Sequence, residues 1–383
     1  MNTITKRIFT LLSVFMLIFL AGCGSSDSDK KSSGKSGGKV EAKIGVIAYM
    51  TGAGAAYGEA ITNGLKLAQK EINAKGDVNI ELVTEDSAGK QEQALSAGQK
   101  IMADNDILAI IGPTLSTEFK VVAPEAELNG IPIMGTSTTA EGIPQIGDYV
   151  FRNSIPEALA IPAAMEKVVA KTNGKKVAII YGNDDVFTKS GYDTMKKEAE
   201  KMGLEVVTTE TFQKGQSDYN AQLTKIKSKK PDFILASALY NEGAVIMDQA
   251  RKMGIDVPFV GGNGFNSPQV IEIAGDAANG LVVATPWFGD SQEQKVVDFN
   301  NKYKEAYGKL PDQFAAQAYD ALYIYADALE RAGEADREAF HKALAETKDY
   351  EGILGKFSFD KEGDVVMDPT VVEIKDGKFV EFK

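Results

Sequence analysis

The 383 residues contain one cysteine, one histidine and one tryptophan. A lone cysteine excludes a disulfide within the chain, and because it stands at position 23 no thiol nucleophile is available in the sequence that follows. The single histidine, His341 in EAFHKALAE, excludes a histidine-built transition-metal centre. Its polar helical surroundings read as an exposed surface position, far from any glycine turn. No serine sits in a G-x-S-x-G elbow, so nucleophilic catalysis of that kind lacks its residues. Carboxylates are plentiful, and a glycosidase-type pair stays open on composition alone. Basic residues are comparatively few, 42 against 54 acidic ones, giving a net charge of -12 with no basic stripe. That balance argues against a nucleic-acid backbone as partner, since such affinity comes from clustered Lys and Arg. No catalytic residues, metal or other cofactor are expected.

What is present begins with a leader. Lys6 and Arg7 precede the apolar run IFTLLSVFMLIFL at 8–20, which is short for a bilayer span, and small residues then approach the cysteine. LAGC at 20–23 resembles the bacterial lipobox, which implies cleavage of residues 1–22 and lipid attachment to Cys23. Export and anchoring to the outer face of a bacterial cell membrane follow as expectations. Residues 24–39, GSSDSDKKSSGKSGGK, carry no apolar side chain and read as a flexible tether, so 23–39 is lipidated Cys plus tether. The GKS at 34–36 is not a phosphate loop, because Asp29 stands where that motif needs glycine.

From Val40 onward, Ile- and Val-rich runs alternate with helical patterns. KIGVIAY, NIELVTED, ILAIIGP, GIPIMGT, KKVAIIYG, LEVVTTETF, DFILASAL, PFVGGNG and LVVATPW read as strands. Ile61, Leu65, Ala68 and Ile72 share one face of a helix over 59–73. Strands without polar alternation, separated by helices, belong to parallel sheets covered on both sides. There are too many for one comfortable sheet. The fold class expected is therefore α/β with two doubly wound parallel-sheet lobes, the second starting near RNSIPEA at 152–158. Helices follow at 292–307, 312–332 and 335–347, and DG within VVEIKDGKFVEF marks a hairpin.

Ligands of open α/β sheets lie at the carboxyl ends of strands. The first such segment, YMTGAGAAYGEA at 49–60, is a glycine turn opening a helix, suited to a phosphate or a carboxylate. A dinucleotide fingerprint would need glycine where Tyr57 stands. GPTLST at 112–117 and GTSTTAEG at 135–142 place Ser116, Ser137 and Thr139 where hydroxyls and backbone N–H groups can encircle a carboxylate, or simply cap helices. In the second half, YGNDDVFTKSG, ALYNEGA and GGNGFNSP bring Phe187, Tyr240, Asn263 and Phe265 to equivalent strand ends, where aromatic rings can enclose an apolar ligand tail or pack in the core.

Six segments, in this order, resemble the Leu/Ile/Val-binding protein family, the substrate-binding lipoproteins of ABC importers: TGAGAAYGEAITNGLKLAQKEIN, GPTLS, SDYNAQLTKIKSKKPDFILAS, ARKMGIDVPFVGGNGF, IAGDAANGLVV and AAQAYDALYIYADAL. The resemblance covers Val40 to Lys383. It implies a type I periplasmic-binding fold with a ligand cleft and three hinge crossings, near Asn153, Pro286 and Gly363. The lobes would be 40–152 with 287–363, and 153–286 with 364–383. It also implies a ligand carboxylate on Ser116 and the Ser137–Thr138–Thr139 turn, with Ser137 and Thr139 also facing the ammonium. Tyr57, Phe187, Tyr240 and Phe314 would line the side-chain pocket, and Trp287 would stand at the cleft mouth. The implied partners are a small amino acid or related carboxylate and a membrane ABC permease, with the chain acting as a monomer.

At one position the pattern departs from the family. Where an acid usually meets the ligand ammonium, this sequence has Asn263. An ammonium buried without a counter-charge costs several kcal/mol. Asp184, Asp185 or Glu242 could reach it, or Asn263 and carbonyls could suffice. Otherwise the ligand has no ammonium and is a 2-oxo acid, an aromatic acid or an amide. A ligand-sensing receptor on the same fold would keep the same cleft.

Overall fold

The computed structural model describes residues 39–383. The leader, Cys23 and nearly all of the expected tether lie outside the described residues.

Two sheets organise the chain. The first is entirely parallel, built from β1 (Val40–Ala48), β2 (Val78–Asp86), β3 (Ile107–Ile111), β4 (Ile133–Gly135) and β5 (Val150–Arg152), in the order β2-β1-β3-β4-β5. Helices α1 (Ala55–Lys75), α2 (Gln91–Met102) and α3 (Ser116–Leu128) connect its strands. Every residue of β3, ILAII, is buried, as the unbroken apolar run demands of a strand covered on both faces.

The second sheet takes its parallel part from β6 (Lys176–Gly182), β7 (Glu205–Phe212), β8 (Phe233–Ser237), β9 (Phe259–Gly261) and β10 (Leu281–Thr285). The connecting helices are α4 (Glu157–Thr172), α5 (Val186–Lys201), α6 (Asn220–Lys229), α7 (Tyr240–Lys252) and α8 (Gln269–Ala274). Next come α9 (Gln294–Tyr307), α10 (Gln313–Ala332) and α11 (Arg337–Ala345). A small antiparallel sheet follows, of β11 (Tyr350–Gly352), β12 (Gly355–Phe359) and β13 (Val365–Val366). The chain then returns to the second sheet as the hairpin β14 (Thr370–Lys375) and β15 (Lys378–Glu381), giving the order β15-β14-β10-β9-β8-β6-β7. The hairpin turn has positive φ at Asp376 and Gly377, the geometry a DG pair supplies.

The α/β fold with two doubly wound sheets is thus the one the strand pattern predicts. The nine runs read as strands all contain strands, while three-residue β5 had no pattern long enough to read. His341 differs from expectation: it is half-buried, its ring stacked on Tyr149 at 4.0 Å, with Nε2 2.8 Å from the Asp148 carbonyl.

The chain passes between sheets after β5, after β10 and after β13. Arg152, at the end of β5, holds Asp364 through a two-pronged ion pair, both contacts 2.7 Å. The same guanidinium donates to the carbonyls of Thr138 and Ala140. Next to it, Asn153 donates to the Gln317 carbonyl of α10 and accepts from the Gln317 side chain. The first passage is thereby tied both to the third and to the helix that follows the second.

Candidate ligand-binding site

In each sheet the strand order reverses beside the first strand of its lobe, between β1 and β3 and between β6 and β8, and the segments leaving these strands meet. In the turn after β1 the Ala53 carbonyl accepts from the Tyr240 hydroxyl at 2.6 Å and the Asn241 side chain at 2.8 Å. Tyr57, in the first turn of α1, donates to the Gly264 carbonyl at 2.6 Å and accepts from the Tyr240 backbone N–H at 2.9 Å. Where the N-termini of α3 and α5 approach, Thr117 Oγ1 donates to Asp185 and accepts from the Val186 N–H. The two lobes therefore stand closed on each other through direct hydrogen bonds.

A small cavity of about 20 Å³ lies within this closure, lined from one side by Tyr57, Thr114, Leu115, Ser116, Ser137 and Phe314 and from the other by Phe187, Leu239, Asn263 and Gly264. Ser116 begins α3, so its hydroxyl stands at the positive end of that helix. Its Oγ accepts from the Ala140 N–H, and Ser137 Oγ donates to the Thr114 carbonyl. The Tyr57 ring packs on Tyr240 and on Phe314, each with centroids 4.7 Å apart. Of the residues singled out from sequence, Ser116, Ser137, Tyr57, Phe187, Asn263 and Phe314 meet at this cavity, and Tyr240 adjoins it through Tyr57. Thr138 and Thr139 lie just behind its wall: Thr138 is buried with its hydroxyl unpartnered, and Thr139 donates to Glu157. Phe265 is fully buried against Gly243 and Gly261.

Trp287 does not line this cavity. It lines a larger cavity of about 600 Å³ with Phe288, Leu310, Pro311 and Phe379, beyond a chain of amides. In that chain Thr285 donates to Gln313 Oε1, and Gln313 Nε2 donates to Asn263 Oδ1. The Asn263 side-chain oxygen is thus engaged by Gln313.

Thr114, Leu115, Leu239 and Gly264 of the cavity wall were not singled out from sequence, nor was an acid beside it. Glu157, the first residue of α4, is completely buried, and its Oε1 accepts from the Asn263 N–H at 2.8 Å and from Thr139 Oγ1 at 3.1 Å. Its Oε2 has no hydrogen-bond partner. The carboxylate lies against Gly262, where a Cβ would come within 2.8 Å of Oε2, so glycine leaves the acid its room. Burial raises this carboxyl to about 7, although the two hydrogen bonds and the charge of Arg152 pull the other way. Read from sequence, a Glu after Pro156 is an ordinary first-turn acid facing its own helix dipole. Only the packing of strand ends from both sheets reveals more.

The acids considered from sequence point elsewhere. Asp184 accepts from the Lys214 N–H, Asp185 caps α5 through the Thr188 N–H, and Glu242 accepts from the Gly215 N–H. They line a separate small cavity with Lys214 and Phe212.

Two facing α/β lobes joined by three passages, with hydroxyls and aromatic rings at the seam, define the class of two-lobed solute-binding proteins. The chain belongs to the periplasmic binding protein family, whose model matches residues 41–378. It is 28% identical over 330 residues to the leucine-, isoleucine-, valine-, threonine- and alanine-binding protein of Pseudomonas aeruginosa, a match covering 84% of this chain and 87% of that one. The structure resembles that of the branched-chain amino acid transporter substrate-binding protein LivJ of Streptococcus pneumoniae in complex with isoleucine. That match has a TM-score of 0.84 at 31% identity and covers 88% and 97% of the two chains. It also resembles the leucine-binding protein LivK of Thermotoga maritima, with a TM-score of 0.81 at 29% identity over 89% and 97%.

Proposed function

We propose that this chain is the solute-binding lipoprotein of an ABC importer, held by lipid on Cys23 at the outer face of the membrane, and that it captures a branched-chain or other hydrophobic amino acid. The observation that carries this reading is the seam itself. Ser116 at a helix N-terminus and Ser137 offer hydroxyls and dipole for a carboxylate, and Phe187, Leu239 and Phe314 surround the same cavity with apolar surface. The names of the relatives support the ligand class.

In this reading the chain works as a monomer with lobes 40–152 plus 287–363 and 153–286 plus 364–383. A ligand touching both lobes binds the closed state better than the open one, and the closed form is what a permease receives. A cavity of about 20 Å³ holds little more than a water molecule, so admitting an amino acid requires the seam to open.

The test is calorimetric titration of the purified protein with leucine, isoleucine and valine and, separately, with 4-methyl-2-oxopentanoate. Saturable binding of at least one of the amino acids supports the reading. Binding of the oxo acid alone moves the ligand class to carboxylates without an ammonium, and binding of none of them removes it.

A further inference from the structure

The family resemblance implies an acid for the ligand ammonium at position 263, where this chain has Asn263, whose side chain is hydrogen-bonded by Gln313. Its backbone N–H, however, is fixed on a carboxylate. That carboxylate also holds the hydroxyl of Thr139, so Glu157 Oε1 joins the strand-end turn of the first sheet to the strand-end turn of the second. Its other oxygen is buried and unpartnered, a costly arrangement for a carboxylate that only props up the fold.

Other buried acids with a spare oxygen are worse placed. Glu242 lies in the cavity with Lys214 and shares no hydrogen-bond partner with Ser116, Ser137, Thr139 or Asn263. Glu118 is occupied in the first turn of its own helix, accepting from the Leu115 N–H. Arg152, the cation nearest to Glu157 in effect, is committed to Asp364 and two carbonyls.

We infer that Glu157 supplies the negative charge that balances the ligand's ammonium, taking over the task of the acid absent at position 263. The inference rests on the amino-acid reading above and deepens it: an amino acid is selected over its 2-oxo acid by a carboxylate carried on the first turn after the chain passes between lobes. Without ligand, burial favours the protonated acid. When an ammonium arrives, the proton leaves to solvent and the ion pair replaces it. Gly262 fits this use, because any side chain there would crowd Oε2.

The experiment titrates leucine and 4-methyl-2-oxopentanoate into wild-type protein, Glu157→Gln, and Glu157→Gln combined with Asn263→Asp. Wild-type binding of leucine tests the functional reading, and the difference between variants tests this inference. In Glu157→Gln, leucine affinity is expected to fall about 30-fold or more, as when one partner of a buried charge pair is removed, while oxo-acid affinity stays within threefold or rises. Asn263→Asp in the double variant restores leucine binding at least tenfold. Equal weakening of both ligands, or no weakening of leucine, overturns the inference, and so does a wild-type protein that binds only the oxo acid or neither. Should Glu157→Gln fail to fold, Glu157→Asp decides: it keeps the charge but draws it back from the ligand, so leucine affinity is expected to fall at least tenfold while oxo-acid affinity stays within threefold, and equal weakening of both or no weakening of leucine overturns the proposal.

Discussion

A carboxyl raised from 4.5 to about 7 makes Glu157 a pH-dependent residue in two ways. Between those values the folded chain keeps a proton that the unfolded chain has released, so stability contributed at this site falls as pH rises through the window. Each unit of difference corresponds to about 1.4 kcal/mol. Thermal melts from pH 4.5 to 7.5 should therefore show wild type losing stability relative to Glu157→Gln by up to about 3 kcal/mol. Asp312 and Asp320, both raised to about 6 by burial, add a slope of the same sign, but it is common to both proteins and cancels in the comparison. Ligand binding carries the opposite linkage: leucine affinity should rise from pH 5.5 to 7.5, with proton release visible as a dependence of binding heat on buffer. Arg152, Thr139 and the Asn263 N–H face the same carboxylate and hold charge and geometry fixed meanwhile. Ser116 and Ser137 could be read from the chain because strand-end position and residue type coincide in them, whereas Tyr57 came only through the family resemblance. Glu157 could not, since its role depends on contacts with residues 18 and 106 positions away.

At the level of elements, α1 and α10 set the first-lobe side of the seam, one carrying Tyr57 and the other Phe314. They approach closely enough that a Cβ on Gly64 would fall 2.2 Å from the Ala315 carbonyl oxygen, which is backbone and cannot swing aside. Gly64→Ala gains about 1 kcal/mol of helix propensity but must part the helices, an overpacking cost of typically 1–3 kcal/mol. The expected result is a lower melting temperature together with weaker leucine binding, because the Tyr57–Phe314 contact shifts with the helices. A melting temperature at or above wild type would show that the helix pair yields without cost. The patterned parts of the fold were legible element by element: buried runs gave the parallel strands, and DG gave the hairpin. What escaped has physical causes. β5 is only VFR, below the length at which a period can be seen. The glycine turn after β1 left phosphate and carboxylate open, and its hydrogen bonds to Tyr240 and Asn241 run to the Ala53 carbonyl, a backbone acceptor that every residue possesses and no motif can signal.

The whole molecule responds through closure, and Tyr57 is where closure can be weighed. Its hydroxyl sits between the Gly264 carbonyl and the Tyr240 N–H, both contributed by the opposite lobe. Tyr57→Phe leaves these two buried groups unpartnered when the lobes are shut, a penalty of about 1–3 kcal/mol for a buried unsatisfied group. An open cleft lets water satisfy both of them, so the substitution acts on the open-closed balance more than on folding. Ligand-free Tyr57→Phe should therefore show a larger radius of gyration by small-angle scattering than ligand-free wild type. Saturating leucine should bring the two to the same value, with affinity lowered about 5- to 150-fold by the closure penalty. Tyr240→Phe serves as the comparison, since it removes only a part-buried bond to the Ala53 carbonyl that Asn241 also reaches, and its effect should be smaller. If Tyr57→Phe scatters as wild type does without ligand, yet binds leucine more weakly, the hydroxyl acts on the ligand directly. The lobe-to-lobe bonds would then contribute nothing measurable to holding the cleft shut.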